Sequence, residues 1–260
     1  MGRIGKAFDG RKAFVAFITC GDPDLETTAA AVREMAAAGA GVIELGIPFS
    51  DPTAEGPVIQ GANARALAGG VTTDKIFDMV ALLRREIDTP LAFMTYANVV
   101  FSRTIAGFAA KCAEVGIDGL ILPDVPFEEK EGFAPEFRRR GIDFISLVAP
   151  TSGERVAKIA REAEGFLYIV SSLGVTGARS EITTDLASIV ATVRENTPIP
   201  CAVGFGISTP EQAAQMAALS DGAIVGSAIV RLMAEHGRAA PKFVGDYVRG
   251  MADAVRMAAR

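Results

Sequence analysis

The chain has 260 residues, 50% of them hydrophobic, with a mean hydropathy of +0.30 and a net charge of −5 from 26 basic and 31 acidic side chains. That is ample apolar material for a large core and argues against disorder and against nucleic acid as the main partner; no apolar run reaches the ~18 residues of a membrane helix. One histidine, His236, and three cysteines without a CxxC spacing leave little room for a His-based metal site, a Ser-His-Asp triad or a disulfide framework.

Residues 1–12 carry no apolar signal-peptide core, so a cytoplasmic location is expected. A first predicted strand, residues 14–18, leads into a helix at 24–38, capped by Asp24 and ended before Gly39. A second strand at 41–45 is followed by a long loop and then a helix at 73–87, where Ile76, Met79, Val80 and Leu83 keep helical spacing. Strands at 91–94, 119–122, 143–147 and 166–170 alternate with helices at 104–115, 128–139, 154–163 and 186–195. The chain ends with a strand at 201–203, a helix at 210–219, a strand at 222–225, a short helical segment entered after Ser227, and a helix at 241–259.

Each predicted strand is a short apolar run with little polar alternation, the pattern of a strand buried on both faces. Strand then helix recurs about eight times in about 250 residues, which suits an eight-stranded barrel or an open doubly wound sheet. The barrel matches both repeat number and length. No Gly-rich dinucleotide fingerprint follows the first strand, where Thr19-Cys20-Gly21-Asp22-Pro23 stands instead. The expected fold is therefore an α/β (β/α)8 TIM barrel, a single domain over residues 1–260.

In such barrels the functional groups gather where strands end and the following loops begin. Glu44 lies inside the apolar second strand, Val42-Ile43-Glu44-Leu45-Gly46. It is either a structural carboxylate paired with a buried cation or a group whose raised pKa serves acid/base chemistry. Residues 47–57 form a long, Pro- and Gly-punctuated loop with two carboxylates, Asp51 and Glu55, each of which also fits a plain surface turn. Tyr168 lies in the sixth strand, just before a glycine-containing loop. Glycines after strands six, seven and eight suit either tight helix packing or a phosphate cradle of backbone amides. Cys20, Cys112 and Cys201 read as packing residues, and His236 as a surface residue without a partner.

The segments 16–23, AFITCGDP, and 44–52, ELGIPFSDP, with Gly174-Val175-Thr176-Gly177, Gly204-Phe205-Gly206-Ile207-Ser208 and Gly226-Ser227-Ala228-Ile229-Val230, occur in an order and spacing that resemble the tryptophan synthase α-subunit family. The similarity runs from Phe14 to about Leu232. It implies retro-aldol cleavage of indole-3-glycerol phosphate to indole and glyceraldehyde 3-phosphate, without a cofactor or metal. It also implies a pyridoxal-phosphate β subunit as partner in an α2β2 heterotetramer, docked on the loops at 50–61 and 97–103. By the same resemblance Glu44 is the general acid/base, the strand-two loop supplies a second carboxylate that holds the indole N–H, and Tyr168 stands beside Glu44. Phe17, Met94, Tyr96 and Ile121 match the indole pocket. Gly177, Gly206, Gly226 and Ser227 match the phosphate site, and Thr176 matches the residue that closes over it. One position departs: the family's Leu-Ala-Asp-Gly-Pro is Thr53-Ala54-Glu55-Gly56-Pro57 here, which adds about 1.5 Å of reach at the second carboxylate. The expectation is that the backbone compensates; the alternatives are a share of the work for Asp51, lower turnover, or a degraded subunit that mainly activates a β subunit.

Overall fold

A computed structural model describes residues 2–171, 186–204 and 206–258. Nine parallel strands form one curled sheet: β1 (Ala13–Thr19), β2 (Val42–Gly46), β3 (Leu91–Met94), β4 (Gly119–Ile121), β5 (Asp143–Phe144), β6 (Leu147–Val148), β7 (Leu167–Val170), β8 (Cys201–Gly204) and β9 (Gly222–Val225). Their order is β5-β4-β3-β2-β1-β9-β8-β7-β6. The first and last strands of that order are consecutive in the chain, so the fold is the expected (β/α)8 barrel, with its fifth strand drawn as two pieces. The break is a change of partner. Ile145 N–H still donates to Leu120 O at 2.9 Å on one side, and Ser146 O accepts from Tyr168 N–H at 3.0 Å on the other. The closing segment thus bonds first to β4 and then to β7 rather than to both along its length.

The alternation of each strand explains why no polar periodicity marks it. In β1, Phe14, Ala16 and Ile18 enter the main core between sheet and helices, while Ala13 and Val15 point into the barrel with Val42, Ala92, Ala202 and Ile224. Inward positions are small near the floor because the strands converge on side chains plugging it. A Cβ on Gly119 would come within 2.7 Å of Ile4 Cδ1, and one on Gly222 within 2.3 Å of Ala13 O. Ile4 belongs to α1 (Arg3–Phe8), whose Phe8 ring meets Phe166 at 5.5 Å inside the barrel.

The remaining helices are α2 (Leu25–Ala37), α3 (Pro57–Ala68), α4 (Thr73–Leu83), α5 (Ala97–Phe101), α6 (Ile105–Val115), α7 (Ala134–Arg138), α8 (Gly153–Arg161), α9 (Leu186–Asn196), α10 (Pro210–Leu219), α11 (Ser227–His236) and α12 (Ala240–Met257). Asp24 caps α2 as expected, accepting from Thr27 N–H at 2.7 Å. The helix expected at 128–139 divides into a 3-10 turn, Phe127–Gly132, and the five-residue α7, because Pro135 has no N–H to continue the ladder across Gly132 and Phe133. Neither α1 nor α3 is expected from the sequence. Five of the 12 residues at 57–68 are Ala or Gly, and the apolar periodicity of the run is weak.

The three cysteines are fully buried and free, as packing residues. His236 does have a partner: its ring stacks on Phe243 at 3.8 Å, at the end of α11. No described helix is long and apolar enough to cross a membrane.

Candidate active site

Register builds the site. The β1–β2 pairing sets Glu44 opposite Phe17, and the period of two puts Glu44 on the same inward face as Val42. No part of Glu44 is exposed, and neither carboxylate oxygen has a hydrogen-bond partner among the described residues. The structural alternative, a buried ion pair, is absent there. Burial alone pushes the Glu44 carboxyl up to about 8, so it holds its proton at neutral pH. Tyr168 enters from β7, also buried. Its hydroxyl is raised well above the ordinary tyrosine value by burial and, secondarily, by the charge of Glu44.

Phe17, Glu44, Glu55, Met94 and Tyr168 line one cavity at the C-terminal ends of the strands, together with Gly206, Gly226 and Ser227. Glycine shapes it. A Cβ on Gly46 would lie 2.6 Å from Phe17 Cζ, and one on Gly204 would lie 2.7 Å from the Tyr168 hydroxyl. These strand-end glycines yield space to the two aromatic rings, a packing role that also serves the cavity. Tyr96 and Ile121 stand behind the wall. Ile121 packs in the barrel interior with Tyr168 and Met94. Tyr96 stacks on Phe49 at 5.1 Å and accepts from Ala54 N–H at 3.1 Å, bracing the residue before Glu55.

The strand-two loop separates its carboxylates. Asp51 is exposed and accepts from Ser50 Oγ at 2.5 Å. Glu55 is 6% exposed, faces the cavity and accepts from Asn63 Nδ2 at 2.8 Å. Burial raises Glu55 to about 7, against the opposing pull of the Asn63 bond. Gln60 Nε2 donates to Glu55 O at 2.7 Å, fixing the backbone from α3 as well. The longer side chain is thus gripped at both ends. Asn63 escapes a reading of the sequence because α3 itself does; its one signal is a polar side chain eight positions beyond Glu55.

Two helix starts adjoin the cavity, with different fates. The α10 terminus is closed by its own capping box: Thr209 accepts from Gln212 N–H, while Gln212 Oε1 accepts from Ser208 N–H at 2.8 Å and Thr209 N–H at 3.2 Å. The α11 terminus, beginning at Gly226 and Ser227, has no side-chain cap and opens on the cavity. Its first N–H groups are free to hold an anion. Gly206, with φ +79°, turns the chain between β8 and α10 in a conformation that favours glycine. Arg231, one turn into α11, also lines the cavity and is not among the residues expected from the sequence. Thr176 and Gly177 lie outside the described residues. No group of three or more His, Cys, Asp or Glu side chains suited to a metal ion occurs among the described residues.

The arrangement offers a protonated carboxyl, a second carboxylate near its titration point, an apolar slot and an anion-binding helix end. The "Tryptophan synthase alpha chain" family model matches residues 6–255. The tryptophan synthase alpha chain of Lacticaseibacillus casei is 45% identical over 255 residues, covering 98% of this chain and 96% of that protein. The crystal structure of the Legionella pneumophila alpha chain superimposes with a TM-score of 0.87 at 37% identity, covering 98% of this chain and 97% of that one. A chain in the tryptophan synthase α2β2 complex of Pyrococcus furiosus superimposes at 0.85 with 35% identity, covering 93% and 98%. In sequence along nearly its whole length, and in fold, this chain belongs to the tryptophan synthase alpha chain family.

Proposed function

We propose that this chain is the lyase subunit of a cytoplasmic tryptophan synthase, splitting indole-3-glycerol phosphate into indole and glyceraldehyde 3-phosphate, with Glu44 and Glu55 as its working carboxylates. Membership of the family carries the reaction. The observation that carries the residue roles is the unpaired, fully buried Glu44 facing Glu55 across one cavity.

The bond to be broken joins the indole ring to the glycerol chain, and the indole carbanion is a poor leaving group. Glu44, protonated near neutrality, delivers its proton to that ring carbon. Positive charge then grows at the ring nitrogen, where ionised Glu55 accepts the N–H. Glu44, now a carboxylate in an apolar site, takes the proton of the side-chain hydroxyl as the carbon–carbon bond breaks. The electron pair returns to the ring, neutral indole leaves, and Glu44 is protonated again. Phe17 and Met94 flank the ring. The α11 terminus holds the phosphate and supplies binding energy remote from the reacting bond.

A β subunit receives the indole, and the docking face is the rim of the mouth. Phe101, at the end of α5, is 55% exposed there and packs on Phe133 at 5.1 Å. The Glu-for-Asp change is the one feature favouring a degraded, merely activating subunit, and the anchored Glu55 speaks against it. Indole release by the wild-type chain, alone and with an equimolar β subunit, tests the reading. Release that rises well above the isolated rate on mixing is expected. Failure to release indole in either arm would overturn the lyase assignment, and an unchanged rate on mixing would overturn the partnership.

A further inference from the structure

We infer that Arg231 is the side-chain cation of the phosphate subsite, a binding residue for the anionic end of the substrate; this rests on the lyase reading above. Among the described residues, it is the one basic side chain lining the cavity. It sits four residues after Ser227, so the two share a face of α11, and it lines the same cavity as Gly226 and Ser227 at the uncapped helix start.

Its lack of a carboxylate partner is shared, among the described residues, with Arg11, Arg85, Arg161 and Arg249, but of these Arg231 alone lines the cavity. Elsewhere on the molecule the guanidiniums of Arg33, Arg65, Arg84, Arg138 and Arg155 are each held by acidic side chains. Arg231 has no ion pair with a described residue. Its charge acts on the nearby Tyr247, whose hydroxyl in turn donates to Ser208 O at 2.9 Å, tying α12 to the Ser208 side of the cavity. The acids of the cavity are Glu44 and Glu55, and both are raised by burial toward their neutral forms. The cavity is therefore electrostatically poor in everything except one available cation and a set of backbone N–H groups. A phosphomonoester dianion is the chemistry that fits both. Backbone amides fix its position, and the planar guanidinium neutralises charge that net −5 on the whole chain would otherwise disfavour.

The test is a charge series at one position, Arg231→Lys, Arg231→Gln and Arg231→Glu, in chains whose far-ultraviolet dichroism and melting match the wild type. Two readouts are taken: kcat and KM for indole-3-glycerol phosphate, and calorimetric binding of glycerol 3-phosphate, which needs no turnover. Arg231→Gln is expected to raise KM and the glycerol 3-phosphate dissociation constant together by about tenfold, with the larger share of the kinetic loss in KM; Lys falls below that and Glu above it. Inhibition by indole, which carries no phosphate, stays within about twofold. Unchanged glycerol 3-phosphate binding in Arg231→Gln would overturn the inference, as would a series that ignores charge. If the wild-type chain binds glycerol 3-phosphate but releases no indole, the lyase reading fails while the Arg231 comparison still stands or falls by its binding constants.

Discussion

The two ends of the barrel treat polar groups in opposite ways. At the floor, three strand starts repeat one device: an acid from further along the chain accepts from an N–H in the first two residues of a strand and is itself met by arginine. Asp118 accepts from Leu91 N–H at 3.0 Å and pairs with Arg84 and Arg3. Asp221 accepts from Cys201 N–H at 3.0 Å, with Arg194 at 3.6 Å. Glu164 accepts from Phe144 N–H at 3.2 Å and pairs with Arg138. At the mouth, the buried side-chain oxygens without a hydrogen-bond partner are those of Glu44, Thr19 and Thr95, in or directly after β2, β1 and β3. Each of these three floor acids is met by at least one arginine. The mouth leaves Glu44 uncompensated, and that is what makes it an acid at neutral pH. Stability and chemistry are drawn from the same sheet at its two ends.

This contrast can be broken experimentally, beginning with its largest consequence. Glu44→Gln should cut indole formation about 10³-fold. The same change should help the fold at alkaline pH. A carboxyl raised to about 8 when folded contributes stability that is present at low pH and is lost as pH rises through that value, a loss the amide avoids. Urea unfolding of both forms at pH 6 and pH 9 should show the variant gaining on the wild type at the higher pH; a variant that instead loses ground would mean the buried carboxyl is compensated after all.

At the floor the signs reverse. Asp118→Ala removes one partner of the nearly buried Arg84 and the acceptor of Leu91 N–H, so unfolding in urea should show a loss of roughly 3 kcal/mol. At a temperature where both forms remain folded, kcat should stay within about twofold of the wild type. A comparable fall in kcat would erase the division between the two ends.

Next in size, Glu55→Gln should lower kcat about 10²-fold by removing the charge that faces the ring N–H. The two carboxyls together set a narrow pH window. Glu55 works ionised, above about 7, and Glu44 works protonated, below about 8. The kcat/KM profile of the free enzyme should be a bell between those limits. Asn63→Ala should move its acid limb upward, because the Asn63 bond holds the Glu55 pKa down; an unmoved limb would dissociate Asn63 from Glu55. The smallest effect belongs to the exposed Asp51, where Asp51→Asn should leave kcat/KM within about twofold. A large loss there would transfer the second carboxylate's role from Glu55.

Much of this was legible in the chain. Eight apolar runs spaced by helical segments specify a parallel barrel because strands covered on both faces must be apolar throughout, and Glu44 stands out as a charge flanked on both sides by apolar residues of such a run. The strand-end glycines mark the mouth, and a family resemblance attaches chemistry to them. What stayed hidden did so for physical reasons. Run 57–68 has weak apolar periodicity, and its helix is decided by packing on β1 and α11, so Asn63 has no visible address in the sequence. Gly204 fits either a packing or a phosphate reading in the sequence, and the structure shows that it and Gly46 make way for Tyr168 and Phe17. Nothing in the sequence marks out Arg231.

The sequence by itself determined the order of strands and helices, the inward placement of Glu44 and the choice of carboxylates and amides over histidine, since these follow from local periodicity and composition. Only the tertiary structure decided which of two loop carboxylates is buried, which of two helix starts is left open, and which arginine enters the cavity. Each of those depends on groups far apart in the chain arriving at one place, and solvation and pairing are properties of that meeting rather than of any segment.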